Sequence, residues 1–188
     1  MTSTFRIPRK ELTGLYGRAI AVYARRAFGQ VPDSAYVLAH HPRGMRAMFG
    51  LERKVARWRS LDPTLKTLAE MATAAAVGCS WCLDFGYFLS RTEGLDPRKV
   101  SQVPRWREAD VYTDLERDVM AYAEAMTATP PTVTDEMVSG LLARLGAPAV
   151  VELTQMVAIE NMRARSYFAA GVQSQGYSDA CEVPLASS

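Results

Sequence analysis

Cys79 and Cys82 are the residues whose types and spacing point most directly to chemistry, in the run Gly78-Cys79-Ser80-Trp81-Cys82. The pattern around them places both at the start of a helix. Helix positions i and i+3 share a face, with Cβ atoms about 5–6 Å apart, so a modest local adjustment brings the two sulfurs within disulfide range. The unpaired N–H groups and partial positive charge of a helix N-terminus favour thiolate over thiol. A free cysteine of pKa about 8.5 is only a few per cent thiolate at neutral pH, so this bias raises reactivity. The pair is read as a dithiol that cycles to a disulfide. Two other readings use the same residues. A closed zinc site needs four ligands, and only His40, His41 and Cys181 remain to complete one, without a second paired spacing. Inert packing of two small apolar residues is the other, although the neighbouring glycine and helix start suit a reactive site better than a core.

The remaining candidates are weaker. Asn161 and Arg165 stand four apart on one helix face, a spacing suited to satisfying loop or interface carbonyls. Trp81, Phe85 and Tyr87 form an apolar surround for the cysteines. Asp84 lies two residues after Cys82 and points to a different helix face. His41, before Pro42, reads as the residue that opens a helix, and Cys181 as an incidental thiol in a polar tail. Arg43, Arg46, Arg53, Arg57 and Arg59 make a solvated or subunit-facing stripe ahead of a nucleic-acid surface.

Composition narrows the classes. The 188 residues hold 22 Lys and Arg against 20 Asp and Glu, a net charge of +2, which excludes a strongly basic nucleic-acid binder. Mean hydropathy is −0.08 and no long uncharged apolar run occurs, so no membrane span is expected. The first residues carry no apolar stretch of a secretory signal, and three cysteines do not make a disulfide scaffold. A reducing, cytoplasmic setting is expected. No phosphate-binding glycine loop or Ser-His-Asp order is present, and no cofactor is implied.

The elements that must position the cysteines are helical throughout. Ala, Leu, Met, Glu and Arg dominate and alternating strand patterns are nearly absent, which predicts an all-α single domain over 1–188. The periodicity predicts helices over Glu11–Phe28, Ser34–His40, Pro42–Trp58, Thr64–Val77, Cys79 or Ser80 to Thr92, Thr113–Met126, Thr134–Leu145 and Pro148–Gly171. The first helix places Leu12, Leu15, Tyr16, Ile20 and Tyr23 at helical spacing. On the third, Glu52, Arg53 and Arg57 are expected to face water. Residues 1–32 read as an N-terminal helical extension and 177–188 as a flexible polar tail. Asp62 and Thr113 look like N-caps, the second in a Thr113-x-x-Glu116 capping box.

The stretch from Leu65-Lys66-Thr67-Leu68-Ala69-Glu70 through Gly78-Cys79-Ser80-Trp81-Cys82 resembles the carboxymuconolactone decarboxylase/alkylhydroperoxidase D (AhpD-like) superfamily. The segments Asp114–Met126 and Val151–Arg165 resemble its later helices, and His41-Pro42 with the helix after it also fits, so the likeness covers most of residues 40 to 173. It implies an all-α fold of antiparallel helices with Cys-x-x-Cys at a helix N-terminus, assembled as a trimer or hexamer. It further implies a thiol-dependent peroxidase or disulfide oxidoreductase. In that role Cys82 attacks a hydroperoxide, Cys79 donates the proton and closes the disulfide, and an external thiol or disulfide reductant reopens it. Two family positions differ. The Glu twelve residues before the first cysteine is Thr67 here, and the His four after the second is Gly86. Glu70 and Glu160 are the candidates to replace that proton relay, against ordinary salt-bridged roles for both. The same departures leave open a non-catalytic or redox-sensing oligomer, and the family name leaves open a decarboxylase acting on a small lactone acid.

Overall fold

A computed structural model describes residues 4–181 and 183–186. The described residues form helices α1 (Gly14–Phe28), α2 (Asp33–Leu38), α3 (Pro42–Val55), α4 (Pro63–Val77), α5 (Ser80–Thr92), α6 (Pro97–Gln102), α7 (Asp114–Thr127), α8 (Asp135–Leu145) and α9 (Ala147–Ala170), and contain no strand. Short 3₁₀ turns at Val103–Arg105 and Ser178–Ala180 complete them.

Local chemistry sets the helix ends. The Asp62 carboxylate accepts the Thr64 and Leu65 N–H groups at 2.8 and 3.3 Å, and Pro63 follows at the position where a missing N–H costs nothing. Thr113 and Glu116 close a reciprocal box: the Glu116 N–H reaches the Thr113 hydroxyl at 3.3 Å, and the Thr113 N–H reaches the Glu116 carboxylate at 2.7 Å.

Helix α4 lies at the centre, packed on α5, α7 and α9. Leu65, Leu68, Ala69, Met71, Ala72, Thr73 and Ala74 are all buried along it, and its alanines let the other helices approach closely. Each fully buried large side chain here, such as Leu68, Met120 or Leu153, contributes about 1.5–3 kcal/mol through removal from water. The direction of α9 follows from its cross-links. Lys66 pairs with Glu152, Glu70 with Arg163, and Gly78 lies against Phe168, so α9 runs parallel to α4. Helix α5 turns back antiparallel, bringing Gly86 opposite Met71.

The structure departs from the sequence reading in three places. The first helix begins at Gly14, because Thr13 is extended and makes no side-chain cap. Its buried stripe is Gly17, Ala21 and Ala24, while Leu15 and Tyr23 are 89% and 65% exposed; small residues pack this helix and the large apolar ones face out. The third helix ends at Val55, short of Trp58. The described residues after Gly176 contact the helices: Tyr177 is buried, the Tyr87 hydroxyl donates to the Val183 carbonyl at 2.5 Å, and the Ala186 N–H reaches the Ser101 carbonyl at 2.9 Å.

Candidate redox site

Two residues, Gly78 and Cys79, separate α4 from α5. Gly78 sits at φ 77°, ψ 29°, a left-handed conformation that a side chain strains, and so ends α4. The Cys79 N–H returns to the Ala74 carbonyl at 2.9 Å, leaving Cys79 as the N-cap of α5. Its sulfur accepts the Cys82 N–H at 3.2 Å and is joined to the Cys82 sulfur in a disulfide, with the two Cα atoms 5.3 Å apart. Both sulfurs therefore occupy the first turn of α5, at the positive end of its dipole. Both cysteines are buried, Cys79 at 1% exposure and Cys82 at 8%, so Cys82 is the less covered of the two.

Trp81, between the cysteines, stacks on Phe85 with centroids 4.9 Å apart and meets Tyr167 edge-on at 5.0 Å. Its indole N–H donates to the Gln175 side-chain oxygen at 2.9 Å. The expected apolar surround is thus present around Trp81 and Phe85, whereas Tyr87 is used further along α5 to hold the tail through its hydroxyl. Thr67 and Gly86 offer no acid or base to the pair. A Cβ at Gly86 would stand 3.4 Å from the Met71 Cγ, so a thioether chain borders that position.

Glu70 and Glu160 do come together, on Arg163. Its guanidinium donates to Glu70 at 2.9 Å and to Glu160 at 3.0 Å. It also forks onto both oxygens of Glu52, at 2.9 and 2.6 Å. Glu52 faces water in part, as expected, with its side chain 39% exposed, but it is also paired with a residue 111 positions away, beyond any local pattern. Three carboxylates thus share one cation among α3, α4 and α9. Burial pushes Glu160 up to about 8, with Arg163 opposing and Glu70 adding to the rise. Burial also raises Glu70, against Arg163. Tyr167 is pushed up to about 12, first by burial and then by the nearby Glu52. Tyr167 is the element common to this cluster and to the Trp81 surround.

Sequence reasoning passed over Asp84. It is 2% exposed and accepts three backbone N–H groups, from Gln175 at 2.8 Å, Tyr177 at 3.1 Å and Ser178 at 2.6 Å. Burial alone would raise its pKa, but the bonds from Ser178 and Gln175 outweigh it and hold the carboxyl below its ordinary value. Ser80 adds a fourth tie, its hydroxyl accepting the Ser174 N–H at 3.3 Å. The signal available in the sequence was an acidic residue set between apolar Leu83 and Phe85.

Asn161 donates to the Thr127 hydroxyl at 2.9 Å, and Arg165 donates to the Thr127 carbonyl at 2.6 Å, closing the end of α7 as their spacing suggested. His40 meets the Pro8 carbonyl at 2.7 Å, and His41 precedes α3 without capping it. Cys181 is a half-buried free thiol, its pKa raised chiefly by burial. Among the described residues no group of three or more His, Cys, Asp or Glu is arranged to hold a metal ion, and no helix is long and apolar enough to cross a membrane.

Residues 42–125 match the carboxymuconolactone decarboxylase family. The chain is 35% identical over 136 residues to the uncharacterized protein YnjA of Escherichia coli (strain K12), covering 71% of this chain and 70% of that protein. The chain belongs to the carboxymuconolactone decarboxylase family. Solved structures extend the likeness of this family member to nearly the whole fold. The alkylhydroperoxidase AhpD core of a peroxidase-related protein from Ralstonia eutropha JMP134 superposes with a TM-score of 0.79 at 19% identity, covering 95% of this chain and 98% of that one. The apo debrominase Bmp8 gives 0.75 at 20%, covering 87% and 88%. Identities this low show a shared AhpD-like fold. Within it, this family member carries a cysteine pair able to form a disulfide, in keeping with a redox role.

Proposed function

We propose that the protein is a thiol-dependent peroxidase of AhpD-like type that works through the Cys79/Cys82 dithiol. The observation that carries this reading is the disulfide in the first turn of α5, with Cys82 its more exposed half. In the reduced form the Cys82 thiolate attacks the peroxide oxygen. The O–O bond breaks, Cys82 becomes a sulfenic acid and the alkoxide takes a proton from Cys79. The Cys79 thiolate then displaces hydroxide from the sulfenic acid, closing the disulfide, and the hydroxide takes a proton from solvent. Two external thiols supply the two electrons and two protons that reopen it. The resemblance in fold to an alkylhydroperoxidase core supports the peroxide as oxidant. In this reading Glu70 and Glu160 hold Arg163 and thereby tie α3, α4 and α9 together. The alternative, that they relay protons to Cys82, requires Glu160→Gln to slow peroxide consumption. Exposed Leu15, Tyr23 and Phe168 support a homo-oligomer, and a cytoplasmic setting would supply the thiol.

Cys82→Ser should abolish thiol-driven peroxide consumption, and reduction of the native protein should release two further free thiols per chain. Full peroxide turnover by Cys82→Ser would overturn the proposal. A redox-sensing role without rapid turnover is the second reading, favoured by the Met71 side chain bordering Gly86 where the family's relay would stand. Reversible disulfide formation with peroxide consumption no faster than that of a simple thiol would select it.

A further inference from the structure

A polar cleft of about 510 Å³ lies where the N-terminal extension meets the segment after α9. Arg9, Arg25, Gln30, Asp33, Tyr36 and Gln175 are among its lining residues. Two guanidinium groups face one carboxylate, so its charged lining is net positive. Arg9 lies over the Tyr36 ring at 4.1 Å and reaches Asp33 at 3.5 Å, which fixes it in the wall. The Tyr177 hydroxyl is buried without a hydrogen-bond partner among the described residues. The Tyr177 backbone N–H donates to Asp84 at 3.1 Å, two residues beyond Gln175 of the cleft wall.

The cleft is tied to the dithiol through Gln175. Its side-chain oxygen accepts the Trp81 indole N–H at 2.9 Å and the Asp33 N–H at 2.7 Å. Its amide group donates to the Val31 carbonyl at 3.3 Å. One side chain therefore joins the cleft wall to Trp81, one of the two residues between the cysteines. Guanidinium groups recognise oxyanions by charge-assisted hydrogen bonds, and bidentate geometry favours a carboxylate.

On the strength of the redox reading above, we propose that this cleft is the binding site for a small carboxylate-bearing thiol, the reductant of the Cys79–Cys82 disulfide. The carboxylate lies against Arg9 and Arg25. The first thiolate attacks the Cys82 sulfur, the Cys79–Cys82 bond breaks, and Cys79 leaves as a thiolate that takes up a proton. A second thiolate attacks the mixed disulfide, releases the oxidised dimer of the small thiol, and leaves Cys82 to be protonated. Two thiols thus deliver two electrons and two protons.

The test uses the full chain in its disulfide form. S-methylglutathione, which keeps its carboxylates and cannot reduce, serves as the binding probe in calorimetry. Saturable binding is expected, weakened on the order of 10-fold or more by Arg25→Gln or Arg9→Gln, the loss of one charge-assisted contact. Arg98→Gln removes an equal charge from an exposed position on α6 and should bind as the native protein does. The ratio of disulfide-reduction rates with glutathione and with uncharged 2-mercaptoethanol should fall by a similar factor in Arg25→Gln. Absence of saturable binding overturns the assignment, as does equal binding by the Arg9, Arg25 and native proteins or an unchanged rate ratio. Peroxide turnover is not among these readouts, so failure of the peroxidase reading and failure of the cleft are separable.

Discussion

Replacing Glu160 by Gln keeps its size and its acceptor for Arg163 but removes its titration, so its effect should depend on pH in a defined direction. The unfolded carboxyl titrates near 4.5, and the folded one is pushed up to about 8 by burial. Between those values the native state holds a proton that the unfolded chain has lost. The contribution is most favourable below pH 4.5 and declines as pH rises toward 8, at about 1.4 kcal/mol per pH unit. Between pH 5.5 and 7.5 the native protein should therefore lose about 2–3 kcal/mol relative to Glu160→Gln. For a domain of this size that is a Tm difference of roughly 5–11 °C opening up across the interval. Asp84, Glu116 and Glu152 are held below their ordinary values and titrate under this window, so they cancel in the comparison. Thermal and urea unfolding of both proteins at matched pH would measure the effect. Curves that stay parallel to within about 0.5 kcal/mol from pH 5.5 to 7.5 would refute the account of a carboxyl kept protonated by burial beside two like charges.

Arg163→Met leaves Glu52, Glu70 and Glu160 without their shared cation and should cost about 3–5 kcal/mol in urea unfolding at pH 8. The loss should shrink at pH 5, where Glu70 and Glu160, both raised by burial, take up protons more readily. Asp84→Ala strands three backbone N–H groups and should destabilise by on the order of 3 kcal/mol. Hydrogen exchange should locate the change at the amides of Gln175, Tyr177 and Ser178. Gly78→Ala forces a side chain into a left-handed conformation and should cost about 1–2 kcal/mol, read from the urea midpoint, with no change in the number of free thiols.

What the sequence made legible was local. The Gly78 break, the Asp62 cap, the Thr113 box and the cysteine spacing each depend on neighbours within a few residues, and each stands in the structure where the pattern placed it. The joining of Glu70 and Glu160 on Arg163 was only half visible. Two of the carboxylates drew notice as unusual, but Glu52 looked like any surface glutamate because its partner is on a distant helix. Asp84 was set aside for a sound geometric reason, since it does leave the cysteine face; its three partners are backbone groups, which carry no side-chain pattern. Helix α1 misled for a different reason. Its large apolar residues have the right period, yet its buried residues are Gly17, Ala21 and Ala24, which pack within the N-terminal segment against Leu12, Val31 and Ala35, where close approach matters more than bulk.

The two kinds of link at the start of α5 belong to different moments in the life of the chain. The sulfur bridge spans residues three apart and needs nothing from elsewhere, so a growing polypeptide can form it as soon as that short stretch meets an oxidant. The grip of Asp84 draws on residues 91 to 94 positions downstream, which join the chain only after the cysteine pair and the whole of α5 have been made. A nascent chain therefore holds its dithiol before it holds the segment that clasps α5, and residues 175 to 178 bring that clasp.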